Sequence, residues 1–344
     1  FMKVWNVGKR EVMNIYDISQ KAGVSIATVS RVLNGSEKVS EKTRKKVLAV
    51  MEENSYTPNA FARSLGLNSM HTVGILCSDS SDVYQAQAIY YLERELRKNS
   101  YASMLCCTGY ELLEKQSYLN LLLSRNVDAV LLIGSHFIEN SPEENRYILE
   151  AASKIPVFIL NGELKGDNIY SILCDDYMAL KDMTDLVFAR GSESPIYLYR
   201  TLNYSGQKKI QGFLDSCAEH GLDISQKNAF SAPGDLHKAC SILEQLDADG
   251  ISFDCVLAAD DELATGAVKY ALKKHLRVPE DFQVTGYNNS VLAACSTPEI
   301  TTIDNRVEYM CVTAVSQMMQ VFQKEIPPSR TMFSGNIVKK QTTK

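Results

Sequence analysis

Long hydrophobic runs are missing from the 344-residue sequence, and their absence argues against a helix that spans a membrane. Charged residues interrupt the apolar stretches well before the roughly 20 residues that such a helix needs. The sequence also lacks a basic segment followed by an apolar stretch and a small-residue cleavage site, the pattern that directs export. We therefore expect a soluble protein of the cytoplasm.

Paired cysteine spacings and the common catalytic signatures are missing as well. The nine cysteines are scattered through apolar segments, as is typical of reduced thiols, and the adjacent Cys106 and Cys107 are expected in the core. The sequence contains no G-x-S-x-G, Walker, G-x-G-x-x-G, H-E-x-x-H or C-x-x-C motif, and its five histidines are dispersed. The neighbouring Asp260 and Asp261 would point in different directions and make a poor acid–base pair. The sequence therefore predicts a protein that is not an enzyme and that uses no metal or cofactor.

Charge is divided unevenly along the chain. Residues 1–66 carry 11 lysines and arginines against 6 acidic residues, whereas residues 67–344 carry 25 against 35. A positive front segment joined to a negative body indicates that the front segment meets a polyanion while the body avoids it.

The front segment has the apolar spacing of short helices. Ile15, Ile18 and Ala22 share one face of a first helix, which Gly23 ends. Ser25 is a suitable N-cap for a second helix, so only a three-residue turn separates the two. A short turn containing glycine between two helices is typical of the helix-turn-helix, whose second helix enters the major groove of DNA.

A third helix is predicted to begin at Ser40 or Glu41 and to end before Pro58. Its solvent side carries basic residues, which would release counterions from DNA and add affinity without sequence preference. The expected buried residues are Val47, Leu48 and Met51, and the expected solvent-side residues are Arg44, Lys45 and Lys46.

The outward face of the second helix carries small and polar side chains that suit contact with a duplex. Hydroxyl and amide groups can reach phosphates, the Arg31 guanidinium can fork onto guanine, and Ile26 can touch a thymine methyl group. The alternative is that these residues form the ordinary surface of a small helical domain. The outward residues are Ile26, Ala27, Thr28, Ser30, Arg31 and Asn34.

The front segment strongly resembles the DNA-binding headpiece of the lactose/galactose-repressor (LacI/GalR) family of bacterial transcription regulators. The match includes V-S-x-x-T-V-S-R-V-L-N at 24–34 and P-N-x-x-A-R-S-L at 58–65. The resemblance implies that one set of side chains reads bases and that another holds phosphates. The implied base-reading residues are Ile26, Ala27 and Arg31, and the implied phosphate contacts are Tyr16, Thr28, Ser30, Asn34 and Thr43.

In this family the segment at 58–65 is a hinge helix. A helix of this length forms only when DNA and a second copy of the chain support it. The resemblance implies that Leu65 is an apolar wedge between base pairs in the minor groove and that Asn59 and Ala62 lie against the groove. The alternative is a plain linker.

From residue 72 onward, continuous apolar runs alternate with amphipathic helices. Such runs are typical of parallel strands that are covered on both faces. Ile89, Leu92 and Leu96 form one of the helical faces between them, so we expect a doubly wound α/β architecture with two lobes. The runs are 73–77, 130–133, 157–160, 196–199, 255–259 and 282–287.

Polar residues follow four of these runs. Ligands of parallel sheets bind beyond the carboxyl ends of the strands, so these residues indicate a site for a hydroxyl-rich ligand, with Tyr84 offering an apolar face. Each of them alone is also explained as a helix cap or turn residue. Ser135 and His136 follow a strand too, but a single histidine there is more often a hydrogen-bonded surface residue than a ligand contact. The four residues are Ser78, Asn161, Asp260 and Asn288.

The body resembles, more loosely, the effector domain of the same family, a type I periplasmic-binding-protein fold with two lobes and three crossovers. Residues 1–12 lie outside the resemblance and are excluded from the fold. The implied division is a helix-turn-helix domain at 13–58, a hinge helix and linker at 59–71, a first lobe at 72–174 and 301–327, and a second lobe at 175–300 and 328–344.

The resemblance carries over to the effector site with three exchanges. The family usually has arginine at Lys209, asparagine at Asp260 and aspartate at Asn288, and often an aromatic residue near Leu236. Lysine lacks the planar fork with which arginine grips vicinal hydroxyls or a carboxylate. The complete set of expected effector contacts is Ser78, Asp82, Tyr84, Asn161, Lys209, Leu236, Asp260 and Asn288.

The leading hypothesis is a DNA-binding transcription regulator, expected to be a repressor, that binds a nearly palindromic operator as a dimer. A small metabolite between the lobes, a sugar or sugar derivative, would set its affinity for DNA. An alternative replaces the metabolite by a protein co-regulator, as in the catabolite-control branch of the family. A solute-binding protein would share the body fold but carry an export leader and no headpiece. The absence of leucine heptads after the last predicted strand favours a dimer over a tetramer.

Overall fold

The computed structural model describes residues 13–33, 36, 38–54, 56, 69–222 and 228–344. The front segment contains helices α1 (Ile15–Ala22), α2 (Ile26–Leu33) and α3 (Glu41–Glu53). The Asn14 side chain caps α1, and Gly23 ends it in the left-handed conformation (φ 58°) that glycine adopts without a steric penalty. The three expected helices are therefore present.

The three helices share a small apolar core. Ile18, Val29 and Val47 are fully buried in it, and Met51 is 6% exposed. The prediction that Leu48 is buried is wrong, because this side chain is 48% exposed. Leu48 lies about 100° further round the helix than Val47, so the buried stripe continues instead to Met51, four residues after Val47.

In the body, strands and helices alternate along the chain, which confirms the predicted α/β class. The strands are β1 (Thr72–Cys77), β2 (Ala102–Cys107), β3 (Ala129–Ile133), β4 (Val157–Leu160), β5 (Ile169–Cys174), β6 (Pro195–Tyr199), β7 (Ala229–Ser231), β8 (Cys255–Ala258), β9 (Gln283–Tyr287), β10 (Thr301–Asp304), β11 (Arg330–Phe333) and β12 (Asn336–Val338). The helices are α4 (Val83–Lys98), α5 (Leu112–Ser124), α6 (Arg146–Ala152), α7 (Asp176–Ala189), α8 (Tyr204–Glu219), α9 (Leu236–Ala248), α10 (Asp261–Lys273), α11 (Val291–Cys295) and α12 (Val307–Phe322).

The strands of the described residues form two sheets, one in each lobe. The order is β11-β5-β4-β3-β1-β2 in the first lobe and β12-β10-β9-β8-β6-β7 in the second. The central strands pair in parallel, and β12 pairs with β10 in the antiparallel direction. Strands covered on both faces must be apolar throughout, and every residue of β3 and β4 is buried.

Two of the expected lobe boundaries need correction. Strand β10, which the sequence assigned to the first lobe, pairs with β9 in the second sheet. Strand β11, which the sequence assigned to the second lobe, pairs with β5 in the first sheet. The chain therefore crosses between the lobes after β10 and again after β11, a few residues later than the expected boundaries at 301 and 328.

Each lobe has its own apolar core. Leu92, Phe158 and Met310 are among the fully buried residues of the first lobe, so α12 belongs to that lobe. Leu263 and Val284 are fully buried in the second lobe. In the described ranges, no helix is both long enough and apolar enough to cross a bilayer.

Candidate functional sites

Helix α2 turns the residues assigned to base reading toward solvent. Ala27 and Arg31 are exposed, and Ile26 is 38% exposed. On the opposite face of the helix, Val29 and Val32 are buried and fix its position on the core. A duplex can therefore approach the outward face of α2 without disturbing the packing beneath it.

Two of the residues assigned to phosphate contacts, Thr28 and Thr43, lie in the first turns of α2 and α3. The Thr28 hydroxyl is 2.9 Å from that of Ser25, and the Thr43 hydroxyl is 2.9 Å from that of Ser40. The N-terminus of a helix favours phosphate because its first N–H groups lack partners in the helix. Tyr16 on α1 is 66% exposed, and Ser30 is partly buried. Four assigned DNA contacts lie outside the described residues: Asn34, Asn59, Ala62 and Leu65.

The basic residues of α3 do not all face solvent as expected. Lys45 and Lys46 are exposed, but Arg44 is partly buried and its guanidinium donates a hydrogen bond to the carbonyl oxygen of Ser36 at 2.7 Å. Arg44 therefore holds the segment before α3 in place. Lys45 and Lys46 are the residues of this group that remain available to DNA phosphates.

A cleft of about 310 Å³ lies between the two lobes of the body. Small-molecule sites typically occupy about 300–1,000 Å³, so the cleft has room for a small metabolite. Six of the eight expected effector residues line it, and their role in binding an effector stays a prediction. These six are Asp82, Tyr84, Asn161, Lys209, Asp260 and Asn288.

Ser78 and Leu236 do not line the cleft, contrary to expectation. Ser78 is buried beneath the wall, where its backbone N–H donates a hydrogen bond to Gln85 Oε1 at 2.8 Å. Leu236 is the first residue of α9 and is partly buried. The loop before α9 contributes Pro233 and Gly234 to the cleft in its place.

A buried carboxylate, Asp176, lies beneath the cleft at the start of α7. It accepts hydrogen bonds from the hydroxyl groups of Ser205 and Tyr287 and from Asn161 Nδ2 at 3.4 Å. Burial raises the pKa of Asp176, whereas the positive charge of Lys209 and the two hydroxyl hydrogen bonds act to lower it. Asp176 is therefore a buried carboxyl group whose ionised form is disfavoured by burial and favoured by Lys209 and the two hydroxyl groups.

Lys209 brings a positive charge to the same region. It is 8% exposed, its ammonium group donates a hydrogen bond to the carbonyl oxygen of Ala259 at 3.2 Å, and its Nζ lies 3.6 Å from the centre of the Tyr287 ring. An ammonium group has three N–H donors, and one of them is used by Ala259. Lys209 therefore combines compensation of Asp176 with donors that a ligand can reach.

Arg200 is a cleft residue that sequence reasoning missed. Its Nε donates a hydrogen bond to Asp260 Oδ2 at 2.6 Å, its Nη2 donates to Glu262 Oε2 at 2.6 Å, and its Nη1 donates to the carbonyl oxygen of Gly234. Asp260 also caps α10 through the backbone N–H of Leu263. The Asp260 carboxylate therefore already accepts hydrogen bonds within the protein, and this leaves fewer acceptor positions for a ligand. Arg200 directly follows β6, and this position was the signal that could have identified it.

His136 is hydrogen-bonded, as the sequence favoured, but it is partly buried and lines the cleft, so it is not the surface residue that was expected. Asn203 Oδ1 accepts a hydrogen bond from the backbone N–H of Gly206, so Asn203 Nδ2 is left to donate to His136 Nδ1 at 3.1 Å. Nδ1 can accept only in the neutral ring. Burial, together with the positive charges of Lys115 and Lys209, lowers the pKa of His136 to about 4.

The neutral state of His136 predicts a pH dependence of stability. Its folded-state pKa of about 4 lies below the ordinary value of 6.5, so between these values the unfolded chain takes up a proton that the folded protein does not. The stabilisation is therefore complete above about pH 6.5 and is lost as the pH falls toward 4. We expect the calorimetric unfolding temperature to fall less steeply over this range in His136→Gln than in the wild type.

Asp261 is present in both proteins of this comparison and acts in the opposite direction. Burial raises its pKa to about 6, so its carboxylate lowers stability as the pH rises toward that value. The difference between the two proteins therefore reports His136 alone. Parallel pH profiles would mean that the ring is not held neutral.

The beginning of α8 connects the second lobe to the first. The Tyr204 hydroxyl donates a hydrogen bond to Glu163 Oε2 at 2.8 Å, and Glu163 also pairs with Arg330 on β11 at 3.2 Å. Gln207 Nε2 donates to Asn140 Oδ1 at 3.3 Å. These contacts hold the two walls of the cleft in one relative position.

Both parts of the chain match known families. Residues 14–59 match the bacterial regulatory proteins of the lacI family, and residues 184–343 match a periplasmic binding protein-like domain. The fold is similar to that of the Lac repressor dimer bound to operator and the anti-inducer ONPF, with a TM-score of 0.85, 22% identity and coverage of 96% of this chain and 99% of that chain. The transcriptional regulator CelR in complex with cellobiose is similar with a TM-score of 0.70, 20% identity and the same coverage.

Sequence relatives extend over nearly the whole chain. The protein is 47% identical to an HTH-type transcriptional regulator of Lachnoclostridium phytofermentans. The alignment spans 331 residues and covers 96% of this chain and 99% of that protein. It is 29% identical to catabolite control protein A of Staphylococcus xylosus over 85% of this chain and 87% of that protein. These relatives are regulators and not enzymes, in agreement with the missing catalytic motifs. The chain therefore belongs to the LacI family of DNA-binding bacterial transcription regulators.

Proposed function

We propose that this regulator binds a two-fold-symmetric operator as a homodimer and that a small hydroxyl-rich metabolite in the cleft sets its affinity for DNA. Each chain has one recognition helix, so two chains are needed to read two half-sites. Repression is the proposed outcome of operator binding. The metabolite is a sugar or a sugar derivative.

One observation carries the effector proposal: polar groups from both lobes converge on a cleft in which the buried charges are already compensated. Arg200 pairs with Asp260, and the charge of Lys209 acts on Asp176. A neutral polyol can accept hydrogen bonds from Lys209 and exchange them with Asn288 without bringing a further charge that must be buried. The similarity in fold to CelR, whose structure contains cellobiose, supports the same ligand class.

The lobes provide the proposed link between ligand and DNA. A metabolite that contacts both walls favours one relative position of the lobes, and a change in that position is a common way of altering the contact between two copies of a protein. Linkage then requires that metabolite and operator change each other's affinity by the same factor.

Isothermal titration calorimetry tests the effector proposal. The full-length protein would be titrated with a panel of neutral mono- and disaccharides, amino sugars, sugar acids and sugar phosphates, and each hit would be repeated with operator present. We expect one saturating ligand whose affinity changes in the presence of operator. If a ligand saturates the protein but its affinity is the same with and without operator, the protein binds the ligand without coupling to DNA. This result would contradict the proposed regulation.

A protein co-regulator is the second candidate, and the similarity to catabolite control protein A is the observation that favours it. In that case the cleft would stay empty and the regulator would gain operator affinity only with another protein. If no compound of the panel binds and the affinity for operator increases when cell extract is added, the protein co-regulator is favoured over the metabolite.

Tyr204→Phe is expected to weaken effector binding by about 1 kcal/mol, or roughly fivefold. The change removes the hydrogen bond from Tyr204 to Glu163 that joins the lobes, and keeps the ring. Hydrogen bonds to charged groups contribute about 1.5–3 kcal/mol, and partial solvent exposure reduces this value. The measurement is the dissociation constant of the ligand found in the panel.

Tyr177→Phe is the matched control for this prediction. The Tyr177 hydroxyl donates to Asp215 at 2.8 Å, and both residues belong to the second lobe. Its loss should leave effector affinity unchanged. Equal affinities of Tyr204→Phe and wild type would show that the contact between the lobes does not contribute to binding.

A further inference from the structure

Two cysteines lie side by side where β1 and β2 end. Cys77 Sγ and Cys107 Sγ are 3.4 Å apart. The backbone N–H of Thr108 donates to the carbonyl oxygen of Cys77 at 2.9 Å, which places Cys107 directly opposite Cys77 in the parallel pair. Neighbouring strands lie about 4.7–4.9 Å apart, and disulfides form across Cα separations of about 4.4–6.8 Å. The two thiols can therefore bond without a large movement of the backbone.

The two cysteines differ in their access to solvent. Cys77 is completely buried, whereas Cys107 is exposed, although the sequence placed it in the core. Cys107 faces solvent because β2 is the edge strand of the first sheet. The neighbouring Cys106 is 8% exposed, since successive residues of a strand point to opposite faces. An exposed thiol with a buried thiol in contact behind it is the arrangement of an attacking and a resolving cysteine.

We propose that Cys77 and Cys107 form a redox-sensitive thiol pair, which a small soluble disulfide such as oxidised glutathione converts to an intramolecular disulfide. The Cys107 thiolate attacks one sulfur of the small disulfide, forms a mixed disulfide and releases one thiolate of the reagent. The Cys77 sulfur then attacks the Cys107 sulfur and displaces the second reagent thiolate. Two protein thiols and one small disulfide thus give one protein disulfide and two small thiols, with the two protons and two electrons passing to the reagent.

Burial also explains the order of the two steps. Desolvation raises the pKa of the Cys77 thiol to about 12, so at neutral pH this thiol stays protonated and does not start the reaction. Cys107 is the accessible partner. Once Cys107 carries the mixed disulfide, its sulfur lies next to that of Cys77. This proximity favours the second step, in which Cys77 loses its proton to the departing reagent thiolate as its sulfur attacks.

The disulfide would lie next to the wall of the cleft. The chain leads from Cys77 directly to the segment that contains Asp82 and Tyr84, and from Cys107 to Tyr110, and all three of these residues line the cleft. A covalent link between the two strand ends would fix this wall. The oxidation state of the pair would then act on the same lobe that forms one side of the cleft.

Peptide mapping of the full-length protein tests this proposal without any ligand or DNA, so its outcome is independent of the proposed effector. The reduced protein is incubated with oxidised glutathione, free thiols are blocked with N-ethylmaleimide, and the digest is analysed by mass spectrometry. We expect a crosslinked pair of peptides that contain Cys77 and Cys107. Cys295, the other exposed cysteine, should carry only the glutathione adduct.

Three variants identify the sulfurs involved. Cys77→Ser should stop the reaction at a persistent glutathione adduct on Cys107, and Cys107→Ser should abolish the crosslink. Cys106→Ser should retain the crosslink at the wild-type level. A persistent adduct on Cys107 of the wild type, equal to that on Cys295, would overturn the proposal, and so would a crosslink that disappears in Cys106→Ser. The wild-type map and the exposed-site Cys107→Ser variant decide the question even if Cys77→Ser fails to fold.

Discussion

Arg31→Ala is expected to weaken binding to the operator by about 1–3 kcal/mol, roughly 5- to 150-fold, and to relax the preference for one base pair. Arg31 is exposed on α2, the helix whose opposite face rests on the headpiece core. Its guanidinium can donate two hydrogen bonds to O6 and N7 of a guanine, and alanine can donate none. Phosphate contacts from other residues remain, so the variant should keep most of its affinity for unrelated DNA.

The measurement needs an operator, which can be selected by the wild-type protein from a random-sequence duplex library. Fluorescence anisotropy would then give the affinities for the selected operator, for its single-base-pair variants and for a scrambled duplex. For Arg31→Ala, we expect one position of the operator to lose its preference while the others keep theirs. Equal losses on operator and scrambled duplex would mean that Arg31 contacts only phosphate.

Lys45→Ala is the matched control. Lys45 is also exposed and basic, but it lies on α3 and not on α2, whose outward face is predicted to read bases. A phosphate contact contributes equally to every sequence, so this variant should weaken binding to operator and scrambled duplex alike. The slope of log affinity against log salt should become shallower by about one.

The sequence identified those parts of the fold in which a strand is buried on both faces and is therefore an unbroken run of apolar residues. Strands β3 and β4 are covered on both faces, so every residue in them is apolar. Strand β2 lies at the edge of the sheet, where four of its six residues are exposed, and it leaves no such pattern. The lobe assignments of β10 and β11 depend on which strands they pair with, and local sequence does not contain that information.

In the cleft, too, the sequence identified some of the residues and not others. Asn161, Asp260 and Asn288 were identified because the carboxyl ends of parallel strands meet at one edge of a sheet, and all three line the cleft. Arg200 obeys the same rule after β6, but its pairing with Asp260 follows from the side-by-side position of β6 and β8. Asp176 was not singled out, because a carboxylate at the start of a helix is usually explained as a cap. Its burial and its contacts with Ser205, Tyr287 and Asn161 follow from the tertiary structure and leave no local pattern.

Lys209→Met is expected to destabilise the body by about 1–3 kcal/mol. Methionine retains an unbranched apolar side chain but removes the positive charge that compensates the buried Asp176. Lys209 Nζ donates to the Ala259 carbonyl oxygen and makes no direct ion pair with Asp176, and Asp176 keeps its hydrogen bonds from Ser205 and Tyr287, so the expected loss is smaller than the about 3–5 kcal/mol that breaking a buried salt bridge costs. Differential scanning calorimetry should show an unfolding temperature lower by several degrees.

Two control variants separate the charge of Lys209 from other effects of the substitution. Lys208 precedes it on α8 and is exposed, so Lys208→Met should change stability by less than about 0.5 kcal/mol. The double variant Asp176→Asn, Lys209→Met removes both charges and keeps an amide that can hydrogen-bond with its neighbours. It should recover most of the stability that Lys209→Met loses, since no uncompensated charge remains buried.

The pH dependence of the Lys209→Met deficit provides an independent test of its cause. Burial already raises the pKa of Asp176, and loss of the Lys209 charge raises it further. A carboxyl group with a raised folded-state pKa destabilises the protein increasingly as the pH rises above its unfolded-state pKa of 3.8, because the unfolded chain gives up the proton more readily. The deficit should therefore be smaller at pH 5 than at pH 8. A deficit of the same size at both pH values would assign it to lost packing and would contradict the role of Lys209 as the compensating charge.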